Sequence, residues 1–529
     1  MSRITQIVVL AVSACTWAYA AEPPAKPDAH WSLTRADDRI PSRNVQFSSD
    51  GAVFNGRDSS IEIADGPQLG ARDFTLSAWI LADSGGDILS QYDSTKRRGF
   101  HLSIKNNAVT TSQANRRHLQ FGIDNNRQSE WIDRGRPGKA ILAFSLAVHD
   151  DHLYAGTCEP GPNESGRVFR TRGDGRWESC GAPDRSNTVT ALAVFEGKLY
   201  AATGKYRLAG SALKESENTH LGGGVFRFEG DGNWTDCGKL PNVEAVGGLA
   251  VFRGRLYASS LYKPAGFFRY EGQSKWTSLP TPNGKRVEAL AVYRDSLYAT
   301  GYDEGHVYRF DGSEWTDLGQ LGENTQTYSF AIYQGRLHVG TWPSGRVYRF
   351  EDANRWTDLG RLGNELEVMG MVVHNGRLLA GTLPLAEVYQ YDGESKWIRL
   401  MQLDTTPNVR YRRAWTVAEF RGEVFYSTLP SGRIYSFAAG RSVAWDREIP
   451  SGWQHVAAIR AGNRLRLYVN GKLIAESKEF EPNDFDLTSR QPLRLGAGSN
   501  DAFLGTLRDF RVFLRALSDA EVVELAKTR

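Results

Sequence analysis

The side chains best suited to chemistry recur at one kind of place in this chain. Tyr206, Tyr262, Tyr302 and Trp342 each follow an apolar run of the same type, and Arg410, Arg412 and Arg413 sit together in Arg-Tyr-Arg-Arg. Aromatic rings gathered at a cleft suit stacking on sugar faces, because they offer area at low entropic cost. Guanidinium forks suit carboxylate or sulfate. One connection is longer than its counterparts, Lys205 to His220, and carries Lys205, Tyr206, Arg207 and His220. A long loop on a rigid scaffold is a frequent home for binding residues and equally a tolerated surface insertion. Two chemistries stay open. One is plain recognition of an acidic glycan by the aromatics and arginines. In the other, Arg412 neutralises a uronate while His220 or Tyr206 removes the α-proton, as a polysaccharide lyase requires.

Other constellations are missing. No His-x-x-x-His indicates a catalytic metal, no Gly-x-Ser-x-Gly marks a hydrolase nucleophile, and no phosphate loop is present. Asp133, Asp236, Asp317 and Asp358 share one position of a repeat, which suggests a blade-to-blade structural bond rather than an acid–base pair. His306 stands where other units carry Arg, so its site tolerates any polar side chain. A formal charge of +3 leaves no electrostatic footprint for nucleic acid.

The elements that must position these residues are set by the phrase Trp315-Thr-Asp-Leu-Gly. It recurs from Trp131, Trp177, Trp234 and Trp356, and more loosely from Trp276 and Trp397, at spacings of 46, 57, 42, 39, 41 and 41 residues. Three alternating apolar runs precede each of the later tryptophans, so each unit predicts four short strands. A period near forty built this way reads as a β-propeller. Seven inner triplets are present, marked by Leu153, Leu199, Leu256, Leu297, Leu337, Leu378 and Val424, but no tryptophan phrase follows the last. The orphan Trp131–Gly135 is therefore expected to complete the seventh blade and close the ring, velcro fashion, over residues 131–440.

Met1-Ser-Arg, the apolar run Ile7–Ala14 and Ala18-Tyr-Ala predict a signal peptide over residues 1–20, with secretion to the periplasm or beyond. Val12-Ser-Ala-Cys15 offers the alternative of a lipoprotein anchored at Cys15. Residues 21–43, rich in proline and charge, read as a tether. Cys158, Cys180 and Cys237 remain; the last two occupy equivalent places on neighbouring blades, too far apart to bridge. No run is long and apolar enough to be a transmembrane helix.

Either side of the propeller the pattern changes. Ala52-Val-Phe-Asn-Gly, Ile61-Glu-Ile and Phe74-Thr-Leu-Ser-Ala-Trp-Ile precede it; Trp453-Gln-His-Val-Ala, Leu467-Tyr-Val-Asn-Gly-Lys and Leu514-Arg-Ala-Leu-Ser follow it. These ordered motifs resemble the concanavalin A-like, laminin-G-type jelly roll, over residues 44–130 and 441–529. The departure is that the whole propeller stands in one loop of the jelly roll, as in bacterial secreted proteins. The resemblance implies a structural calcium near Asp509, with Asn55 as co-ligand. The chain is thus expected to be all-β, a seven-bladed propeller inserted into a jelly-roll β-sandwich. Its expected partner is a polysaccharide or glycoconjugate, bound on the propeller face that carries the aromatics. The alternative is a uronate-type lyase or a glycoside hydrolase with its active site at the same mouth.

Overall fold

The computed structural model describes residues 25–106 and 116–527, and their strands sort into two kinds of sheet. The expected signal segment and Cys15 lie outside the described residues.

The first kind is a β-propeller arrangement. Four sheets each take four strands in sequence order, for example Gln326–Tyr333, Arg336–Trp342, Arg346–Asp352 and Arg355–Arg361. Two more such sets, Leu142–His149 to Glu178–Ser179 and Thr188–Phe195 to Asn233–Lys239, merge into one eight-stranded sheet through a single Cys158–Thr188 pairing. A further four-stranded sheet joins Arg413–Phe420, Glu423–Leu429 and Ile434–Phe437 to the early strand Ile132–Asp133, with Ile132 opposite Ser436 and Asp133 opposite Tyr435. Beside that pairing Trp131 stacks on Phe437 at 4.7 Å and 14°.

The repeated phrase has a physical reason. The indole N–H of Trp356 donates to the Leu318 carbonyl at 3.0 Å, and Trp234, Trp276 and Trp397 reach Cys180, Cys237 and Leu359 in the same way. Each tryptophan thereby hydrogen-bonds the outer strand of the preceding set. The repeated aspartates do something else than expected. Asp133, Asp236, Asp317 and Asp358 each accept the backbone N–H of the glycine two residues on, at 2.7–2.8 Å. Asp317 and Asp358 also pair with His306 and Arg346 of their own sheet. These aspartate bonds stay within one sheet, and the bond to the preceding set falls to the longer indole.

The second kind is a sandwich built from both ends of the chain. Phe74–Ala82 lies between Trp453–Ala461 and Leu504–Phe513 in an eight-stranded sheet; Gly86–Asp93, Arg98–Asn106, Arg116–Gln128 and Ala439–Glu448 run side by side in a seven-stranded one. Their inner faces share one apolar core, with Phe74, Phe121, Ile80 and Leu507 fully enclosed. Asn470 and Gly471 both take positive φ, 50° and 78°, as the two-residue hairpin demands. Ser518 and Glu521 form the capping box of the helix Asp519–Leu525. The stretch read as a tether is integrated from Ala29 onward: Ala29–Trp31 pairs with Leu504–Phe513, and Trp31 stacks on Phe510 at 5.2 Å. Its apolar residues, few as they are, find partners on the sheet.

Ala439 is the register partner of Gln128, so the chain leaves and re-enters the sandwich on neighbouring strands. The propeller's first-to-second-strand hairpins then cover the outer face of the seven-stranded sheet. That face alternates with core residues such as Leu102 and Phe121, and its polar side chains, His101, Ser103, Lys105, His118, Gln120 and Asp124, are all buried. Lys105, Gln120 and His374 converge on Glu419 at 3.2, 3.2 and 2.7 Å. Asn375 donates to the carbonyls of Ile123 and Ala439. Among the described residues, the opposite face of the propeller, where the first strands begin, is left uncovered by the sandwich.

Candidate functional site

On that uncovered face, the start of each first strand aims side chains at the propeller axis. Matching registers put Arg286, Gln326, Glu367 and Arg413 at one level, and Glu288, Tyr328 and Trp415 two residues deeper. The second strands end beside them. Here Tyr206, Tyr262, Tyr302 and Trp342 meet Phe144, Tyr328, Met369 and Trp415 in one cluster. The four aromatics expected from the sequence do converge.

Their roles divide. Tyr206 is buried, edge-on to Phe144 at 5.1 Å, with its hydroxyl 2.6 Å from Ser211 Oγ. Tyr262, Tyr302 and Trp342 are half-buried and form the wall of the mouth. Tyr411, which the sequence reading passed over inside its arginine cluster, packs edge-on against Trp342 at 6.2 Å and 89°. Four guanidiniums lie over rings of this wall: Arg207 on Tyr262 at 4.4 Å, Arg286 on Tyr302 at 4.5 Å, and Arg410 and Arg413 on Tyr411 at 4.9 and 5.6 Å.

Of the expected basic cluster, Arg410 and Arg413 share one ring, both lying over Tyr411, at 4.9 and 5.6 Å. Arg413 opens the strand Arg413–Phe420, whereas Arg410 and Arg412 precede it. Arg410 turns outward over Tyr411. Arg412 Nε donates to the Thr406 carbonyl at 2.8 Å, tying that side chain to its loop. Arg413 turns inward, buried over Trp415 at 5.4 Å. The long loop is likewise held from within. Lys205 donates to the carbonyls of Ser216 and Asn218, and Asn218 ties the loop to the carbonyls of Glu164 and Arg185. Lys205 is a staple there, not a contact for ligand. Arg207 is paired with Glu244 at 2.8 Å. His220 is exposed at the end of this loop, and its backbone N–H donates to Asn218 Oδ1.

Beneath the wall lies a polar throat that sequence reasoning missed. Among the described residues, Arg413 Nε and Nη1, Trp415 Nε1 and Glu288 Oε2 are buried with no hydrogen-bond partner. Buried polar groups are rarely left so, and such a group marks an unseen water, ion or ligand. Burial, reinforced by the charge of Glu367, pushes Glu288 up to about 8. Burial also lifts Glu367 to about 7, outweighing the pull of Arg413. Near neutrality the throat therefore offers N–H donors beside carboxyl groups that hold protons, and it can accept an oxygen-rich group or exchange a proton with one. The signal was present in the sequence: Val287-Glu-Ala-Leu puts a carboxyl inside an otherwise apolar innermost strand.

The two residues considered for calcium do not meet. Asn55 pairs with Leu504, five positions along the same strand from Asp509, about 16 Å at ordinary strand rise. Asn55 Oδ1 caps its own turn by accepting the N–H groups of Arg57, Asp58 and Ser59. Asp509 is taken by His30 at 2.5 Å and by Arg511 at 2.6 Å. Among the described residues no group of three or more His, Cys, Asp or Glu is placed to hold a metal ion.

Residues 395–523 match the family model of the concanavalin A-like lectin/glucanases superfamily. The matched span begins in the last part of the repeat array and takes in the later half of the sandwich. No curated protein matches the chain. Solved structures with similar form include a streptogramin B lyase, at TM-score 0.46 and 11% identity over 58% of this chain and 97% of that one. A virginiamycin B lyase from Staphylococcus aureus aligns at TM-score 0.45 and 12% identity, over 59% and 99%. A GH74 xyloglucanase from Xanthomonas campestris aligns at TM-score 0.43 and 15% identity, over 62% and 59%.

Proposed function

We propose that this is a secreted glycan-recognising protein whose binding site is the mouth walled by Tyr262, Tyr302, Trp342 and Tyr411. The observation that carries this reading is the set of four guanidinium-over-ring pairs around that wall. Each holds an aromatic face in fixed orientation and puts positive charge beside it, the combination that an acidic sugar needs for stacking and for charge. Arg413, with unpartnered N–H groups below, is the residue for a carboxylate or sulfate that reaches the throat. The proposal takes the propeller as seven-bladed, counting the eight-stranded sheet as two blades, with Ile132–Asp133 as the closing strand. It places the propeller at residues 131–440 between jelly-roll halves at 44–130 and 441–529. The superfamily match over residues 395–523 supports the jelly-roll part.

A second reading, a polysaccharide-degrading enzyme, is favoured by one observation: the neighbouring carboxyls Glu288 and Glu367, both raised toward neutrality. They join His220 as groups to suspect of proton transfer, while the Tyr206 hydroxyl is engaged by Ser211 and Arg412 Nε, the group considered for neutralising a uronate, by the Thr406 carbonyl. A glycan array run beside an assay for new reducing ends and unsaturated uronates separates the two. Binding without turnover supports the recogniser. Turnover that disappears in Glu288→Gln while affinity stays supports the enzyme. No binding to any glycan sinks both.

A further inference from the structure

A cleft of about 500 Å³ opens at the other end of the propeller, where its hairpins meet the edge of the sandwich. Five arginines line it against three carboxylates. Arg43, Arg57 and Arg494 come from the sandwich; Arg294 and Arg336 come from two propeller hairpins. The carboxylates are accounted for. Glu62 pairs with Arg494 at 2.9 Å, Asp58 stands 3.7 Å from Arg43, and Asp93 accepts the backbone N–H groups of Thr95 and Lys96. Arg57 is paired with Asp295 at 3.1 Å.

The two propeller arginines differ. Among the described residues neither Arg294 nor Arg336 has a carboxylate within ion-pair distance; each donates to a backbone carbonyl, of Gly335 and Glu351, at 3.3 and 2.9 Å. Arg294 Nε is in addition buried without a partner. A guanidinium held at a cleft wall with donors to spare is an anion site in waiting. The rest of the lining narrows the ligand. It is hydroxyl- and amide-rich, through Ser60, Ser94, Thr95 and Gln491, and it has one aromatic ring, Tyr92, whose hydroxyl donates to Asp124 at 3.1 Å. No ring is presented for a flat base to stack on, and no histidine or cysteine lines the cleft to take a metal.

We propose that this junction cleft binds a sulfated or carboxylated saccharide, with Arg294 and Arg336 taking the oxyanion and the hydroxyl-bearing wall taking the sugar. It is a second site, at the opposite end of the propeller from the mouth. It exists only because the propeller is inserted in the sandwich, since each part supplies some of the arginines. Two sites at opposite ends would let one molecule bridge two stretches of polymer, which raises avidity without any new contact.

The test uses the full chain at fixed ionic strength, titrated with a heparin tetrasaccharide, an oligogalacturonate, a neutral cello-oligosaccharide and inorganic sulfate. Arg336→Gln and Arg294→Gln should each weaken binding of one of the two acidic oligosaccharides about tenfold, the cost of one charged hydrogen-bonding partner. Arg336→Lys should restore part of it. Ser94→Asp, on the exposed rim, should weaken it with the fold untouched, which answers the objection that an arginine variant has unfolded. Trp342→Ala should leave this component unchanged. If the arginine variants and Ser94→Asp all bind as the parent does, the cleft is not a site, whatever happens at Trp342. If inorganic sulfate binds as tightly as the oligosaccharides, or the neutral sugar does, the assignment to an acidic saccharide is overturned. Loss of binding in Trp342→Ala alone would uphold the mouth and end this inference; loss in Arg336→Gln alone would do the reverse.

Discussion

Arg377 grips Asp124 across the junction of propeller and sandwich. Its Nε and Nη2 reach the two carboxylate oxygens at 2.9 and 2.8 Å, and both side chains are wholly enclosed. Removing one partner of a buried bidentate pair strands the other charge. Arg377→Met should therefore destabilise the chain by about 3–5 kcal/mol in denaturant unfolding. Adding Asp124→Leu should recover part of that loss. A single variant as stable as the parent would show that the junction is not closed around this pair.

The pH dependence of stability follows from buried groups of two signs. Burial raises Glu288 and Asp446 to about 8, and Glu367 and Asp501 to about 7. Each keeps in the folded state a proton that the unfolded chain has already lost, so its contribution falls as pH climbs from the ordinary carboxyl range through the folded value. Burial lowers His101 and His118 to about 3 and His338 and His455 to about 4. They stay neutral when folded, and their contribution is lost as pH falls below about 6.5. The two sets oppose each other in mild acid. Above about pH 6.5 the carboxyls act alone, each by up to about 1.4 kcal/mol per pH unit. The melting temperature should drop between pH 6.5 and 8.5, and Glu288→Gln or Asp446→Asn should flatten that slope. A flat parent profile would contradict the burial of these groups.

The strand Ile132–Asp133 is short, two residues, and leans on its neighbour. Trp131 stacks on Phe437 and tilts over Tyr426 at 6.2 Å. Trp131→Ala should cost about 2–3 kcal/mol, less than a fully enclosed aromatic because Trp131 is half-buried. Trp356→Phe keeps an aromatic ring but loses the bond to the Leu318 carbonyl and part of the indole's packed area, so it should cost about 1–2 kcal/mol. If the two variants unfold alike, the stack contributes nothing beyond the strand.

The repeats were legible because a propeller writes each blade in nearly the same residues, and Trp315-Thr-Asp-Leu-Gly announces both a strand and its bond to the blade before. The convergence of Tyr262, Tyr302 and Trp342 was legible for the same reason: equivalent positions in a closed array point at one axis. What failed was direction. His101, Ser103 and Lys105 alternate with Leu102 and Ile104 as a solvent-facing strand does, yet the propeller covers them, and no local pattern distinguishes water from a docked polar face. Of Arg410, Arg412 and Arg413, the first and last do share the Tyr411 ring, while Arg412 Nε turns to the Thr406 carbonyl, a loop contact that no local pattern announces. Glu288 was hidden by its neighbours: one carboxyl in an apolar strand becomes meaningful only when Glu367, Arg413 and Trp415 arrive from other sheets.

At the mouth, two arginines one residue apart should behave oppositely. Arg412 donates to the Thr406 carbonyl and has its backbone N–H on Pro384, so Arg412→Gln should disturb a loop and leave glycan affinity nearly unchanged. Arg413 sits over Trp415 with Nε and Nη1 unpartnered, so Arg413→Gln should remove the charge that an acidic sugar meets in the throat. Trp342→Ala should weaken acidic and neutral glycans alike by about 1–3 kcal/mol, as loss of an aromatic anchor does. Arg413→Gln should weaken only the acidic ones. Protonation of Glu288 and Glu367 lowers the repulsion that a bound carboxylate would feel, so affinity for an acidic glycan should rise as pH falls from 8 toward 6. Glu288→Gln should hold the higher affinity across that range. Titrations of these variants at pH 6 and 8 decide the matter: equal losses for Arg412→Gln and Arg413→Gln would mean that the throat takes no part in binding.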